Sequence, residues 1–312
     1  MGGFLLKRLI FSVVTLFAVL TLVFLIVRVV PGDPAQVILG DQADAAAIAA
    51  LRGRLGLDRP VLEQYFSFLG GAVKGDWGVS LVTGRPVIRE VLDVLPWTLE
   101  LTFVSMVLGT AIGVPLGVWA AINRNRMPDY VTRIASLIGL SFPPFVSAIL
   151  LLISFSLVLR WFPVISANRA TPWQWFQSIA LPALNLGLIM AAYITRVTRS
   201  AMLEVMQEDY VRTARAKGAP WRAIVWRHAL RNALIPIVTI VGLYLGILIG
   251  NSVLTEIVFN RPGLGKLIIG ALSQRDYTML QGMIVIYTLI VVLVNVATDL
   301  TYAFVDPRVK LK

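Results

Sequence analysis

The side chains able to do chemistry gather in one polar stretch, Glu204 to Asn232, which carries six of the chain's arginines and lysines and its one histidine, His228. That chemistry is recognition, because the parts for catalysis are missing. With no cysteine, thiol nucleophiles and thiolate metal sites are excluded, and a single histidine cannot build a His-rich metal site or a proton relay. The only Gly-Lys pair, Gly265-Lys266, is followed by leucine, and Asn260 stands where a phosphate-binding loop needs its first glycine. We therefore expect no catalytic residue, no metal site and no cofactor in this chain. Met202 to Lys217 is rich in helix formers, Gly218 suits a C′ position and Pro220 a first-turn position, so the stretch reads helix, tight turn, helix. Tyr210, Ala214 and Lys217 recur at i, i+4 and i+7, one face that fits a partner's groove. Arg212 and Arg215 point elsewhere, toward acidic protein groups or anionic lipid.

Two further ionisable groups lie close to apolar runs. Asp299 is an expected structural residue near the end of the last run, and Glu256, at the outer mouth of the fifth, either meets substrate or ends a helix.

The elements that position these groups are apolar. Of 312 residues, 57% are hydrophobic and 14% charged, against about 25% charge in ordinary soluble domains, and mean hydropathy is +0.79. The net charge of +11 is spread between apolar runs, an arrangement that suits membrane orientation and argues against nucleic acid as a partner. Six spans are predicted: Leu9–Val30, Leu99–Ile122, Ile134–Leu159 broken at Pro143-Pro144, Ile179–Ile194 as the shortest, Ala233–Val253 and Gly282–Phe304. The first lacks a small-residue cleavage site and is read as retained. The expected organisation is a first helix over 1–30, an extracytoplasmic segment over 31–98, a five-helix core over 99–305 with a docking loop at 195–232, and a tail over 306–312. The 31–98 segment is expected to hold helices at Ala43–Leu55 and shortly after Pro60, and 160–178 reads as a tryptophan-rich interfacial loop.

Spans two and five each carry a glycine ladder at four-residue spacing, Gly109, Gly113 and Gly117, then Gly242, Gly246 and Gly250. Small residues so placed let backbones approach closely, the main source of helix association in lipid.

Asp209-Tyr-Val-Arg-Thr-Ala-Arg-Ala-Lys-Gly218 and Arg227-His-Ala-Leu-Arg-Asn-Ala-Leu-Ile-Pro236, with Gly75-Asp-Trp-Gly-Val-Ser80 and the Asp306-Pro-Arg308 ending, resemble the dipeptide/oligopeptide branch of binding-protein-dependent ABC importer permeases. The general superfamily signature is followed only at Ala214, Gly218 and Leu230; Arg212-Thr213-Ala214 stands where that signature has Glu-Ala-Ala. The resemblance implies an all-α polytopic protein with the type I ABC importer transmembrane-domain fold, in the cell (inner) membrane. It implies alternating access, with a second homologous permease, two ABC ATPase subunits that bind ATP and Mg, and an extracytoplasmic substrate-binding protein as partners. It implies an ATPase-coupling role for Glu208, Asp209, Tyr210, Arg212, Ala214, Lys217, Gly218 and His228. The expected cargo is a short peptide, with glutathione or chelated nickel as alternatives. An ion-coupled secondary transporter would place ionisable residues at midplane and show inverted repeats. Neither is evident.

Sixteen lysines and arginines fall on the side of the termini against five in the short loops opposite, so both termini are predicted to be cytoplasmic. Single cysteines at Asn125 and Lys312 are expected to label only from the cytoplasmic side, and at Gln42 and Asn168 only from outside. Labelling of Lys312 from outside would overturn the six-span order.

Overall fold

A computed structural model of the chain describes residues 2–29, 35–36, 44–165 and 170–305. The Pro31–Pro34 stop, Gln42, Asn168 and the ending from Asp306 lie outside them, as does the side chain of Asp299. The described chain is helical: α1 Gly2–Val29, α2 Ala45–Leu55, α3 Val61–Lys74, α4 Val87–Ile122, α5 Met127–Ser141, α6 Pro144–Val158, α7 Pro172–Val205, α8 Asp209–Ala216, α9 Trp221–Val258, α10 Leu264–Ser273 and α11 Tyr277–Val305. Five of these helices are long and apolar enough to cross a membrane, and a sixth span results if α5 and α6 count as one.

The expected third span is not straight. Pro143-Pro144 removes two backbone donors, and α5 and α6 meet there at 101°. The expected fourth span is not the shortest either. Thr171 caps α7 by accepting from the Gln174 N–H at 3.2 Å, Pro172 occupies the first turn, and the helix then runs 34 residues to Val205. Trp173 and Trp175 are thus helical, not part of a loop.

The chain forms two compact units. The first comprises the described parts of 1–96 together with 266–293. In it α1 packs on α3 through Leu16, Leu20, Phe68, Leu69 and Ala72, with Phe24 edge-on to Tyr65 at 5.2 Å and the Thr21 and Tyr65 hydroxyls 2.6 Å apart. The Gly75–Ser80 run is a turn with a backbone reason for its glycines: Gly75 and Gly78 have φ of +78° and +81°, and a Cβ on Gly78 would lie 2.6 Å from Thr278 Cγ2. Buried Asp276 caps α11 through the Met279 N–H at 2.9 Å and accepts from the Ser80 hydroxyl at 2.6 Å. The outer face of α1, by contrast, exposes Leu9, Phe11, Val13 and Phe17 by more than half, as a helix in hydrocarbon does.

The second unit comprises 97–265 and 294–305. Its core lies where α4, α7 and α9 meet, around Leu101, Val118, Leu186, Met190, Ile194, Met202, Ala233 and Leu248. The α4 ladder sits on α7. A Cβ on Gly109 would come within 2.9 Å of the Gly187 carbonyl, on Gly113 within 2.8 Å of Ala191 O, and on Gly117 within 2.7 Å of Thr195 O. The α9 ladder behaves differently. Gly242 is closed by the Thr298 side chain, Gly246 would meet only Asn295 Oδ1 at 3.5 Å, and Gly250 is exposed.

Gly113→Leu, which must push α4 off α7, is expected to destabilise the purified protein by about 1–3 kcal/mol or more. Gly246→Leu should cost clearly less, since its neighbour stands at ordinary contact distance. Thermal unfolding in one detergent ranks the two; the reverse order would remove the α4–α7 contact as the tighter one.

Candidate coupling site

The polar stretch begins as the end of α7, not as a helix of its own. Met202 is fully buried in the core with Ala201, so the last turns of α7 continue the rod established among the spans. One buried ion pair braces this extension. Arg199 Nε and Nη2 donate to the two carboxylate oxygens of Asp129 at 2.5 and 2.8 Å, Asp129 is fully buried, and the Asn125 N–H donates to the same carboxylate at 2.9 Å. A bidentate guanidinium–carboxylate contact fixes orientation as well as distance. From the sequence, Arg199 falls in the expected docking loop 195–232 and nothing links it to Asp129. The pair's one signal was Asp129 as the only acid in the basic turn 123–133.

The continuous helix expected over Met202–Lys217 is broken. Met206, Gln207 and Glu208 form a turn, in which their N–H groups donate back to Met202, Glu204 and Val205 at 2.9–3.1 Å. Glu208 then stands at the N-cap of α8, and Asp209 puts its charge in the first turn, where it complements the helix dipole. Helix formers such as Met, Gln and Glu do not announce a break. The tertiary contact of Val211, 1% exposed, decides it by turning α8 onto the body.

Val211 also sets which face looks outward. With Val211 buried and Ala214 half-buried, the outward face of α8 carries Asp209, Arg212, Thr213 and Ala216. The expected contact face of Tyr210, Ala214 and Lys217 therefore lies on the flank. Tyr210 is 42% exposed but its hydroxyl is held by its own chain, accepting from Asn232 Nδ2 at 3.0 Å, and burial of the ring side pushes its pKa up. Arg212 lies 3.6 Å from Asp209 in an exposed pair worth little by itself.

The end of α8 is as the sequence reading expects. Gly218 has φ +78°, its N–H donates to Arg215 O at 3.0 Å and the Ala219 N–H to Ala214 O at 3.1 Å, the two bonds of a Schellman motif. Pro220 stands one residue earlier than expected, at the N-cap of the next helix. The Arg215 guanidinium covers the Trp221 ring at 5.5 Å, which ties α8 to the start of α9. Ile224–Ala229 is wound as a wider π turn, and half-buried His228 sits in it, its carbonyl accepting from Asn232 Nδ2 at 2.9 Å. Glu208, Asp209, Tyr210, Arg212, Ala214, Lys217, Gly218 and His228 are thus brought into one local structure with several side chains open to a partner.

At the other end of α7 a second buried cation does similar work. Arg261, fully buried, pairs with Glu100, donates to Trp97 O at 3.3 Å and Ser178 O at 3.5 Å, and stacks on the Trp97 ring at 5.0 Å. Glu256 is buried beside it and accepts from the Gly265 N–H at 2.8 Å, so this carboxylate anchors the returning loop.

Comparison with known proteins gives a consistent picture. Residues 113–311 match the family described as binding-protein-dependent transport system inner membrane component, and residues 1–102 match its N-terminal region. The chain is 42% identical over 312 residues to the glutathione transport system permease protein GsiC of Escherichia coli (strain K12), covering 100% of both, and equally to that of Shigella dysenteriae serotype 1. Among solved structures, inward-facing conformations of the MetNI methionine ABC transporter match with a TM-score of 0.58 at 22% identity, over 70% of this chain and 97% of that one.

Arg199→Met strands a fully buried carboxylate and is expected to destabilise the protein by about 3–5 kcal/mol. Asp129→Leu combined with Arg199→Met removes both charges and should recover most of that loss. Unfolding midpoints of the two variants test this, and a single variant as stable as the parent would show the pair to be idle.

Proposed function

The chain belongs to the family of binding-protein-dependent transport system inner membrane components and is a permease subunit of an ABC importer, and from that premise we propose that it carries short peptides inward, with α8 as its handle on the ATPases. ATP hydrolysis lies in the partner subunits, and an extracytoplasmic binding protein delivers the substrate. The observation that carries the substrate class is the full-length match to permeases named for transport of glutathione, itself a tripeptide. The peptide-branch runs at Asp209–Gly218 and Arg227–Pro236 support the same class.

In this reading both termini are cytoplasmic and residues 31–98 form an extracytoplasmic cap toward the binding protein. The coupling role of the α7–α9 corner follows from its build. ATP binding draws two ATPases together, and α8 moves with their groove. Because α7 continues as one helix from Val205 into the α4 contact, a displacement of α8 reaches the spans without being absorbed by a hinge. The turn at Met206–Glu208 sets the angle of the handle, and the Schellman motif at Gly218 returns the chain to α9.

Reconstituting the permease with its partner subunits tests both parts. Arg212→Glu, on the outward face, is expected to cut substrate-stimulated hydrolysis at least 10-fold, and Ala214→Glu, on the flank, less. A Cβ added at Gly218 would meet no neighbouring atom within 4 Å, so the main effect of Gly218→Val is on the left-handed backbone, a cost of about 1–2 kcal/mol that misdirects α8. Import of labelled peptide at the parental rate by all three variants would reduce Glu204–Asn232 to a solvated loop. Failure of dipeptides and glutathione alike to enter, with hydrolysis intact, would refute the cargo assignment alone.

A further inference from the structure

The second unit holds a cavity of about 390 Å³ between α5 and α7 that the coupling role does not use. Arg133, Arg196 and Arg199 line one end, and Ser136, Leu137 and Leu140 continue it. We propose that this cavity binds an anionic phospholipid, with the phosphate against Arg133 and Arg196 and an acyl chain along Leu137 and Leu140.

Charge is the first argument. Arg199 is neutralised by Asp129. Arg133 and Arg196 each lie over a tyrosine ring of their own helix, Tyr130 at 5.8 Å and Tyr193 at 5.5 Å, and neither forms an ion pair among the described residues. Ring stacking uses the face of a guanidinium and leaves its N–H donors at the edge, so two cations present donors beside one cavity. No acid is among the residues that line the cavity, and the nearby Asp129 is already paired with Arg199.

The order of the lining is the second. From Arg133 to Leu140 the helix rises about 10 Å, and the wall passes from guanidinium to the Ser136 hydroxyl to alkyl side chains. Phosphate, glycerol ester and acyl chain follow each other in that order in a phospholipid. A free anion would use the arginines and leave the leucine wall bare. The outer face of α5 beside the cavity, Val131, Ile134 and Ile138, is more than half exposed and apolar, so the cavity opens along a surface suited to hydrocarbon.

The assembled transporter, stripped of lipid in mild detergent and titrated with phosphatidylglycerol, phosphatidylethanolamine or inorganic phosphate, tests this by native mass spectrometry. The parent is expected to retain phosphatidylglycerol in preference to the other two. Arg133→Gln with Arg196→Gln should weaken that binding about 30-fold, at about 1 kcal/mol for each basic side chain. Arg124→Gln, at the same end of α5 but outside the cavity, should leave it unchanged. Equal retention of both lipids, retention of phosphate as strong as that of phosphatidylglycerol, or an unchanged affinity in the double variant would each overturn the proposal. The parental selectivity alone decides the matter if the double variant does not assemble.

Discussion

Contact between the backbones of α4 and α7 is the constraint on which the second unit depends. In hydrocarbon, burying another leucine gains little over leaving it in lipid, so helices hold together by how closely they fit. Gly109, Gly113 and Gly117 set that fit, each facing a carbonyl of α7 one turn further along. The facing side adds its own small residue, Gly187, packed under Leu108. Thr195 turns the close approach into a polar contact as well, its hydroxyl donating to Gly113 O at 3.3 Å.

Charge then fixes the ends of what packing has aligned. Near one end of α7, Arg199 and Asp129 couple it to the start of α5; at the other, Arg261 reaches the Ser178 carbonyl while pairing with Glu100. Buried ion pairs repay their desolvation poorly in net stability, but they tolerate little displacement. A helix pinned in this way moves as a body. Such a rod carries a displacement at its polar end into the apolar spans.

Much of this was legible in the sequence because membranes simplify the reading. Long apolar runs announced the spans, and Gly218 followed by Pro220 announced the turn, since few other residues tolerate a φ of +78°. Four things were not legible, each for a physical reason. The break at Met206–Glu208 is imposed by burial of Val211 against local preference. The Asp129–Arg199 pair joins residues 70 positions apart, and loop charges look alike until something folds over them. Arg261 sat in a run that reads as a solvent loop, Asn260-Arg-Pro-Gly, yet it is among the most deeply buried side chains described. The diproline at 143–144 was visible, but not the 101° it produces.

The π turn at Ile224–Ala229 changes how the whole of α9 is to be compared between relatives. A wide turn accommodates a residue more than an α-helix does over the same rise, so side chains before and after it are out of phase by about 100°. A helical wheel drawn unbroken from Trp221 to Val258 therefore assigns the faces of the span wrongly. For the same reason a single-residue gap in an alignment across 224–229 would not shorten the span noticeably. It would return the turn to ordinary α winding and leave the glycine ladder of α9 facing Thr298, so residues on either side of the gap stay in register in space.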